Sequence, residues 1–451
     1  MSVRQRGRGR AGTVLVGAIA LLAAGTACTA SSQDGGAGQA HPPAQTQSSA
    51  QTRSSAQTQS SAPVPSSSGG VDPSTSPSGG PKPVESTSAH PGVAPQPTPV
   101  SVGVRPASGG TGFDPTKPVV VRATHGRLAT VTVTNPAGTL VTGKMSSDRS
   151  TWTSDEDLGY AKTYRVTATA TGAAGARPVR KTASFTTVEP RTLTYPDIFP
   201  PPSITDVGVG QPIDVTFDET ITDRAAAERA LRVTSVPAQT GAWHWMSDKD
   251  VQWRPQHYWR AGSKVTLRAM VYGKNLGDGV YGQEDRTSSF TVHDRLEVIG
   301  SVPDHNLQVY DNGTLVRTIP ASFGKPATPT HSGVHVIYQK FHMYLMNSCS
   351  YGVCSGPSAY TNFKAYYAQR ISSDGEFVHV NEATVSDQGS RNVSHGCINV
   401  SMSEGIWLYD HVGVGDIVDV RGGDPQLPID DGYGAWNASW SQWLAGSALH
   451  S

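Results

Sequence analysis

Cysteine is scarce in this chain: Cys28, Cys349, Cys354 and Cys397 are the only four in 451 residues. That leaves no separate Cys/His cluster to complete a four-ligand zinc site. Positive charge is not concentrated either. The formal net charge is zero, and no basic block lies beyond the first ten residues. Phosphate binding needs clustered Lys or Arg, so nucleic acid is excluded as the main partner. The apolar run "TVLVGAIALLAA" at 13–24 is too short to span a bilayer by itself.

What that run does fit is an export signal. Arg4, Arg6, Arg8 and Arg10 precede it as a positive segment, and "GTAC" follows. Small residues before a cysteine resemble a bacterial lipobox, with Cys28 as the lipidated residue. The expectation is an exported chain, lipid-anchored to the cell membrane and facing the cell wall. Export permits disulfides. Cys349 and Cys354 are five residues apart in the turn-like "NSCSYGVCSG" and are expected to pair. Cys397 is then a leftover thiol, which in an exported protein suggests reactivity.

The length allows about three domains. Residues 29–97 are rich in Ser, Gln, Pro and Gly, and the unit Gln-Thr-x-Ser-Ser-Ala runs three times over 45–62. So few apolar side chains cannot offset the entropy of ordering, so this reads as a disordered tether. Its end-to-end distance is on the order of 45 Å. From 98 to 190, "PVVVRAT", "LATVTVTN" and "TYRVTATATG" alternate apolar and polar residues between turns, the pattern of a β-sandwich. Residues 191–294 repeat the style, with one helix, "DRAAAERAL", capped by Asp223. Trp243, Trp245 and Trp253 read as core or interdomain packing. Residues 295–423 form a third unit. In it, "NLQVYDNGTLVRTIP" predicts a hairpin turning at Asn312-Gly313, and "SMSE" predicts a helix from Ser401 with Glu404 closing a capping box. The tail, 424–451, carries Trp436, Trp440 and Trp443 at helix-like spacing. Their shared apolar face is expected to fold back on the catalytic unit or the β domain before it.

The chemistry gathers around "SHGCIN" at 394–399. A thiol nucleophile needs a base within reach and a third group to orient that base. His379 lies 18 residues upstream in "GEFVHV", between apolar Val378 and Val380 on an expected strand. No Asp or Asn stands ready as its partner, so the carbonyl of residue 380 is the candidate orienting group. Gly396 permits an unusual φ, and the amides of His395, Gly396 and Cys397 are positioned to converge on an oxyanion. Ser394 and Asn399 suit pinning the turn. Three other readings compete: a zinc hydrolase using His379, His395 and Cys397, a buried structural thiol, and a non-catalytic wall-binding β protein. His335 alternates with Val334 and Val336 and reads as a face residue rather than a ligand.

His379 followed by "SRNVSHGCINVS" resembles the signature of the L,D-transpeptidases with a YkuD-type catalytic domain. "TFDETITDRAAAERAL", "WRPQHYW" and "GVYGQEDRT" resemble the domain preceding it in actinobacterial, mycobacterial-type members. The resemblance covers 190–445 well and 98–190 in architecture only. It implies a mainly β fold: two Ig-like sandwiches, a β-rich catalytic domain and the Trp-rich tail. It also implies Cys397 as acylated nucleophile and His379 as base, with the Val380 carbonyl orienting the base. The amides of His395, Gly396 and Cys397 would form the oxyanion hole, with Ser394 and Asn399 holding the loop. "MNSCSYG" and "SAY" resemble an active-site lid that places Tyr351 and Tyr360 over the pocket and Met346 at its base. The implied donor is a peptidoglycan tetrapeptide stem, and the acceptor is the diamino-acid amine of a neighbouring stem. β-Lactams of the carbapenem class would acylate the same cysteine. The alternative outcome on the same donor is L,D-carboxypeptidation. No cofactor and no metal are expected, and the expected state is a monomer. Two positions depart from related members: Ala383 stands where they carry Trp, and Cys349 and Cys354 have no counterpart pair.

Overall fold

A computed structural model describes residues 98–172, 177–351, 353–356 and 359–450, with the Tyr351 side chain outside that description. The export signal, Cys28 and the tether lie outside the described residues.

Strand alternation builds the first sandwich. In Thr163–Thr171, Tyr164, Val166, Ala168 and Ala170 point inward while their neighbours face outward. This strand pairs with Arg127–Thr134 and Val179–Thr186. Opposite lies a sheet ordered Ser101–Arg105, Val120–Thr124, Thr151–Ser154, Gly143–Met145. Both sheets feed one core around Val121, Leu128, Trp152, Val166 and Phe185.

The second sandwich has its own core. Strands Ile213–Phe217, Asp250–Pro255 and Gly241–Trp245 face Leu231–Val236, Lys264–Ala269 and Arg286–Val292 across it. Trp243, Trp245 and Trp253 all lie in this core. Helix Arg224–Ala230 is capped by Asp223, whose Oδ1 accepts from the Ala226 amide at 2.8 Å. The joint to the following unit is backbone on backbone. Gly208 N donates to Val414 O at 2.8 Å and Gly210 N to Gly415 O at 2.9 Å. A Cβ on Gly208 would sit 2.3 Å from Asp416 Oδ1, so only glycine allows this approach.

In the third unit, Leu296–Ser301 pairs with Asn306–Asp311 on one side and in parallel with Ile417–Arg421 on the other. The last strand of this unit thus lies beside its first. The Asn312-Gly313 turn has φ of 49° and 83°, both in the left-handed region a two-residue hairpin requires. A second sheet runs Gln339–Met346, Phe363–Arg370, Phe377–Val380, Ile398–Val400. Helix Met402–His411 covers its core through Leu408. Half of the expected capping box forms: Ser401 Oγ accepts from the Glu404 amide at 3.4 Å. The Glu404 carboxylate does not reach back. It binds Arg317 through two bonds, 2.7 and 3.0 Å long, which a charged bidentate pair favours over a cap.

The tail departs from a single helix. Trp436 sits in the short turn Gly434–Asn437, and Trp440 and Trp443 in helix Trp440–Ala445, broken by extended Ala438 between them. What the three indoles share is a guest rather than a helical face. The Arg254 guanidinium lies 4.8, 5.4 and 4.7 Å from their ring centroids and donates to Ala438 O at 2.9 Å. Burial lowers Arg254 to about 10, still charged at neutral pH. Asn437 also bonds Val334 on both sides, so the tail touches the catalytic unit as well as the second sandwich. Arg254→Ala is expected to destabilise the protein by about 3 kcal/mol, since desolvated cation–π contacts and a buried charged bond are lost together. Urea unfolding measures it, and an unchanged midpoint would show the cage to be incidental.

Candidate active site

Parallel pairing places the chemistry. Strand Phe377–Val380 runs beside Ile398–Val400, with His379 opposite Asn399. Parallel strands need a crossover, and here it is residues 381–397, ending in the Ser394–Cys397 turn. That turn is held from both sides. Ser394 N donates to Phe323 O and Lys325 N to Ser394 O, both at 3.0 Å. Ser394 Oγ donates to Cys397 O at 2.5 Å, and Thr330 Oγ1 to Gly396 O at 2.6 Å. Gly396 has φ 125°, a conformation that requires glycine.

Cys397 and His379 line one cavity of about 270 Å³, with Met346, Tyr360 and Phe363 on its walls. His379 Nδ1 lies 2.9 Å from Val380 O. Only an N–H can bond a carbonyl, so Nδ1 carries the proton and Nε2 keeps the lone pair. Phe363 packs edge-on to this ring at 5.6 Å between centroids. Burial lowers His379 to about 4 and raises the Cys397 thiol to about 12. The resting pair is therefore neutral thiol and neutral imidazole. The thiol donates to Gly375 O at 3.6 Å. It follows that iodoacetamide should alkylate the resting protein slowly at pH 7 and faster as pH rises past 9. A plateau between pH 5 and 8 would instead reveal a preformed thiolate–imidazolium pair.

The remaining predicted residues fall in distinct places. His395 is exposed, and its Nε2 lies 3.1 Å from Lys325 Nζ. Burial and the Lys325 charge both lower its pKa. The Gly396 amide is not available to an oxyanion as expected, because it donates to Ser394 Oγ at 3.1 Å. The His395 and Cys397 amides donate to no described residue and remain for that role. Nor does the Asn399 side chain pin the turn. Its backbone pairs with Ser322, while Nδ2 reaches Thr384 Oγ1 at 3.4 Å and Oδ1 is buried without a partner. Met346 is buried at the cavity wall. Cys349 and Cys354 form a disulfide. Ser348 and Tyr360 are bonded to each other, Tyr360 N donating to Ser348 Oγ at 2.8 Å and Ser348 N to Tyr360 O at 3.0 Å. Tyr351 contributes backbone to the short helix Ser348–Tyr351. Thr384, rather than exposed Ala383, walls the pocket beyond the base.

Sequence reading missed a second cavity of about 190 Å³, which shares Cys397, Tyr360 and His395 with the first and adds His331, Asp374 and Glu376. His335, read as a face residue of its strand, sits on a face that is fully buried. His335 Nε2 lies 3.2 Å from Glu376 Oε2, and His331 Nδ1 lies 3.1 Å from Glu376 Oε1. A buried carboxylate must be paired, and these two rings pair it. His331, Asp374 and Asp431 also bring ligand atoms within 4.8 Å of one another. Two of the three are tied to neighbours: His331 Nδ1 lies against Glu376, and Asp431 Oδ1 accepts from the Ser373 amide at 2.6 Å.

Comparison with known proteins agrees with this geometry. The model of the L,D-transpeptidase catalytic domain matches residues 296–420, and that of a bacterial Ig domain matches 110–275. L,D-transpeptidase 2 of Mycobacterium tuberculosis is 41% identical over 346 residues, 75% of this chain and 83% of the relative. L,D-transpeptidase 5 of the same species is 35% identical over 363 residues, 79% of this chain and 78% of the relative. A solved L,D-transpeptidase in complex with imipenem aligns with TM-score 0.44 and 33% identity, over 50% of this chain and 97% of that one. A catalytic-domain match that spans both His379 and Cys397, and relatives this similar over three quarters of the chain, identify the protein as a member of the L,D-transpeptidase family.

Proposed function

We propose that this enzyme forms 3→3 peptidoglycan cross-links through a thioester on Cys397. The donor is a tetrapeptide stem whose third residue is a diamino acid joined at its L-centre to D-Ala. As the scissile carbonyl docks, His379 Nε2 takes the thiol proton and Sγ attacks the carbon. The amides of His395 and Cys397 are placed to stabilise the oxyanion. His379 then returns the proton to the departing D-Ala amine. The neighbouring stem's side-chain amine resolves the thioester and forms the new amide.

The observation that carries this reading is the shared cavity. In it, the sole unpaired thiol among the described residues shares the walls with an imidazole whose Nδ1 proton is fixed on Val380 O. Because base and thiol are both neutral at rest, proton transfer accompanies attack instead of preceding it. The test is incubation with purified tetrapeptide stems and mass spectrometry. D-Ala release together with an amide-linked dimer supports the reading, and intact tetrapeptide after incubation refutes it. Carbapenem acylation should add one covalent adduct, on Cys397 alone. An unmodified Cys397 peptide would count against the thiol as nucleophile.

A further inference from the structure

The mechanism above uses one cavity, yet Cys397 opens onto two. The first holds His379 and contains no carboxylate among its lining residues. The second holds Asp374 and Glu376 together with His331. Its volume, about 190 Å³, has room for about six waters. A primary amine arrives at neutral pH as an ammonium ion, since such groups titrate near 10. Electrostatics therefore draw it to the second cavity rather than the first.

His331 in that cavity has the construction of an oriented base. Its amide donates to Glu376 Oε1 at 2.9 Å, and its Nδ1 lies 3.1 Å from the same oxygen. Nδ1 is therefore the protonated nitrogen and Nε2 the basic one. Nε2 has no hydrogen-bond partner among the described residues. Glu376 is held in turn by buried His335, whose Nε2 faces Glu376 Oε2 at 3.2 Å and whose Nδ1 faces Gly333 O at 3.1 Å. The hydrogen bonds from His331 and His335 work against burial and hold the Glu376 carboxyl below its ordinary pKa.

We propose that His331, oriented by Glu376, is a second general base that takes the proton from the acceptor amine as it resolves the Cys397 thioester. This rests on the thioester reading given above. The ammonium ion first loses one proton to solvent beside Asp374. The neutral amine nitrogen then bonds to the thioester carbon while His331 Nε2 takes its second proton. The C–S bond breaks, Cys397 leaves as thiolate, and the His331 proton returns to it through solvent. The groups facing His331 are Glu376, Asp374 and Asp431, and they raise its pKa, Glu376 through its hydrogen bond most of all. A base so placed stays effective near neutral pH.

The test separates the two half-reactions using tetrapeptide stems as both donor and acceptor. In His331→Gln, single-turnover D-Ala release should stay within about twofold of wild type, while dimer formation falls about 100-fold or more and acyl-enzyme accumulates in the mass spectrum. Glu376→Gln keeps the shape and one acceptor oxygen for His331, and turns the other position, opposite His335, from acceptor to donor. It should give a smaller loss and move the acid limb of the dimer-formation pH profile to lower pH. Undiminished dimer formation in His331→Gln would overturn the proposal. So would a parallel loss of D-Ala release, which would make His331 a structural support of the nucleophile. A wild-type enzyme that releases D-Ala but yields only hydrolysed tripeptide would also overturn it and leave the nucleophile reading standing. No D-Ala release from wild type would sink both.

Discussion

Cys397→Ala is expected to abolish acylation, lowering the rate by about 10⁴-fold or more, as loss of the attacking atom does in other covalent enzymes. Stability should change little. The thiol is small, and its hydrogen bonds are weak sulfur contacts, one to Gly375 O at 3.6 Å and one with the Phe377 backbone. The turn around it is held by Ser394, Thr330 and the Phe323 and Lys325 backbone, none of which needs the sulfur. Single-turnover D-Ala release and a thermal melt on the same sample check both halves. Residual D-Ala release at even a hundredth of the wild-type rate would point to another nucleophile. Cys397→Ser should be nearly as inactive, because an imidazole held near pKa 4 is a poor base toward an alcohol.

His379→Ala is the second large effect, an expected loss of about 10²- to 10⁴-fold in acylation. The neutral resting pair makes this base indispensable: with the thiol at about 12, almost no thiolate forms at pH 7 without it. The wild-type acid limb follows from the depressed imidazole. Acylation should hold level from pH 8 through pH 6 and decline only as pH approaches 4, since protonation of Nε2 removes the base. Added imidazole should restore part of the activity of His379→Ala, with a pH profile that follows the free imidazole. Absence of rescue, combined with a normal melt, would argue that His379 positions and does not transfer protons. His395→Ala should be much milder, within about tenfold, because that exposed ring contacts Lys325 while the backbone of the turn is held elsewhere.

Several features were legible because they are local. The Asp223 cap spans three residues, the Asn312-Gly313 hairpin turns within two, and the alternating burial of Thr163–Thr171 is written in its own period of two. The Ser-His-Gly-Cys turn is equally local: Gly396 announces the left-handed φ, and Ser394 closes the loop onto Cys397 O three residues on. Where local readings failed, a distant partner intervened. Glu404 leaves its cap for Arg317, 87 residues away, and the three tail tryptophans gather on Arg254 instead of aligning on one helix.

By itself, then, the sequence determined the thiol, the turn that presents it and the β-rich units around it, because dihedral preference and strand periodicity act over a few residues. Tertiary structure alone decided the surroundings of that thiol. Burial sets both protonation states, and the parallel pairing of His379 with Asn399 brings the base to the nucleophile's cavity. His331, His335 and Glu376 meet across 45 and 41 residues to build a second cavity beside it. Such clusters depend on how strands stack across a core, and no short-range preference encodes that.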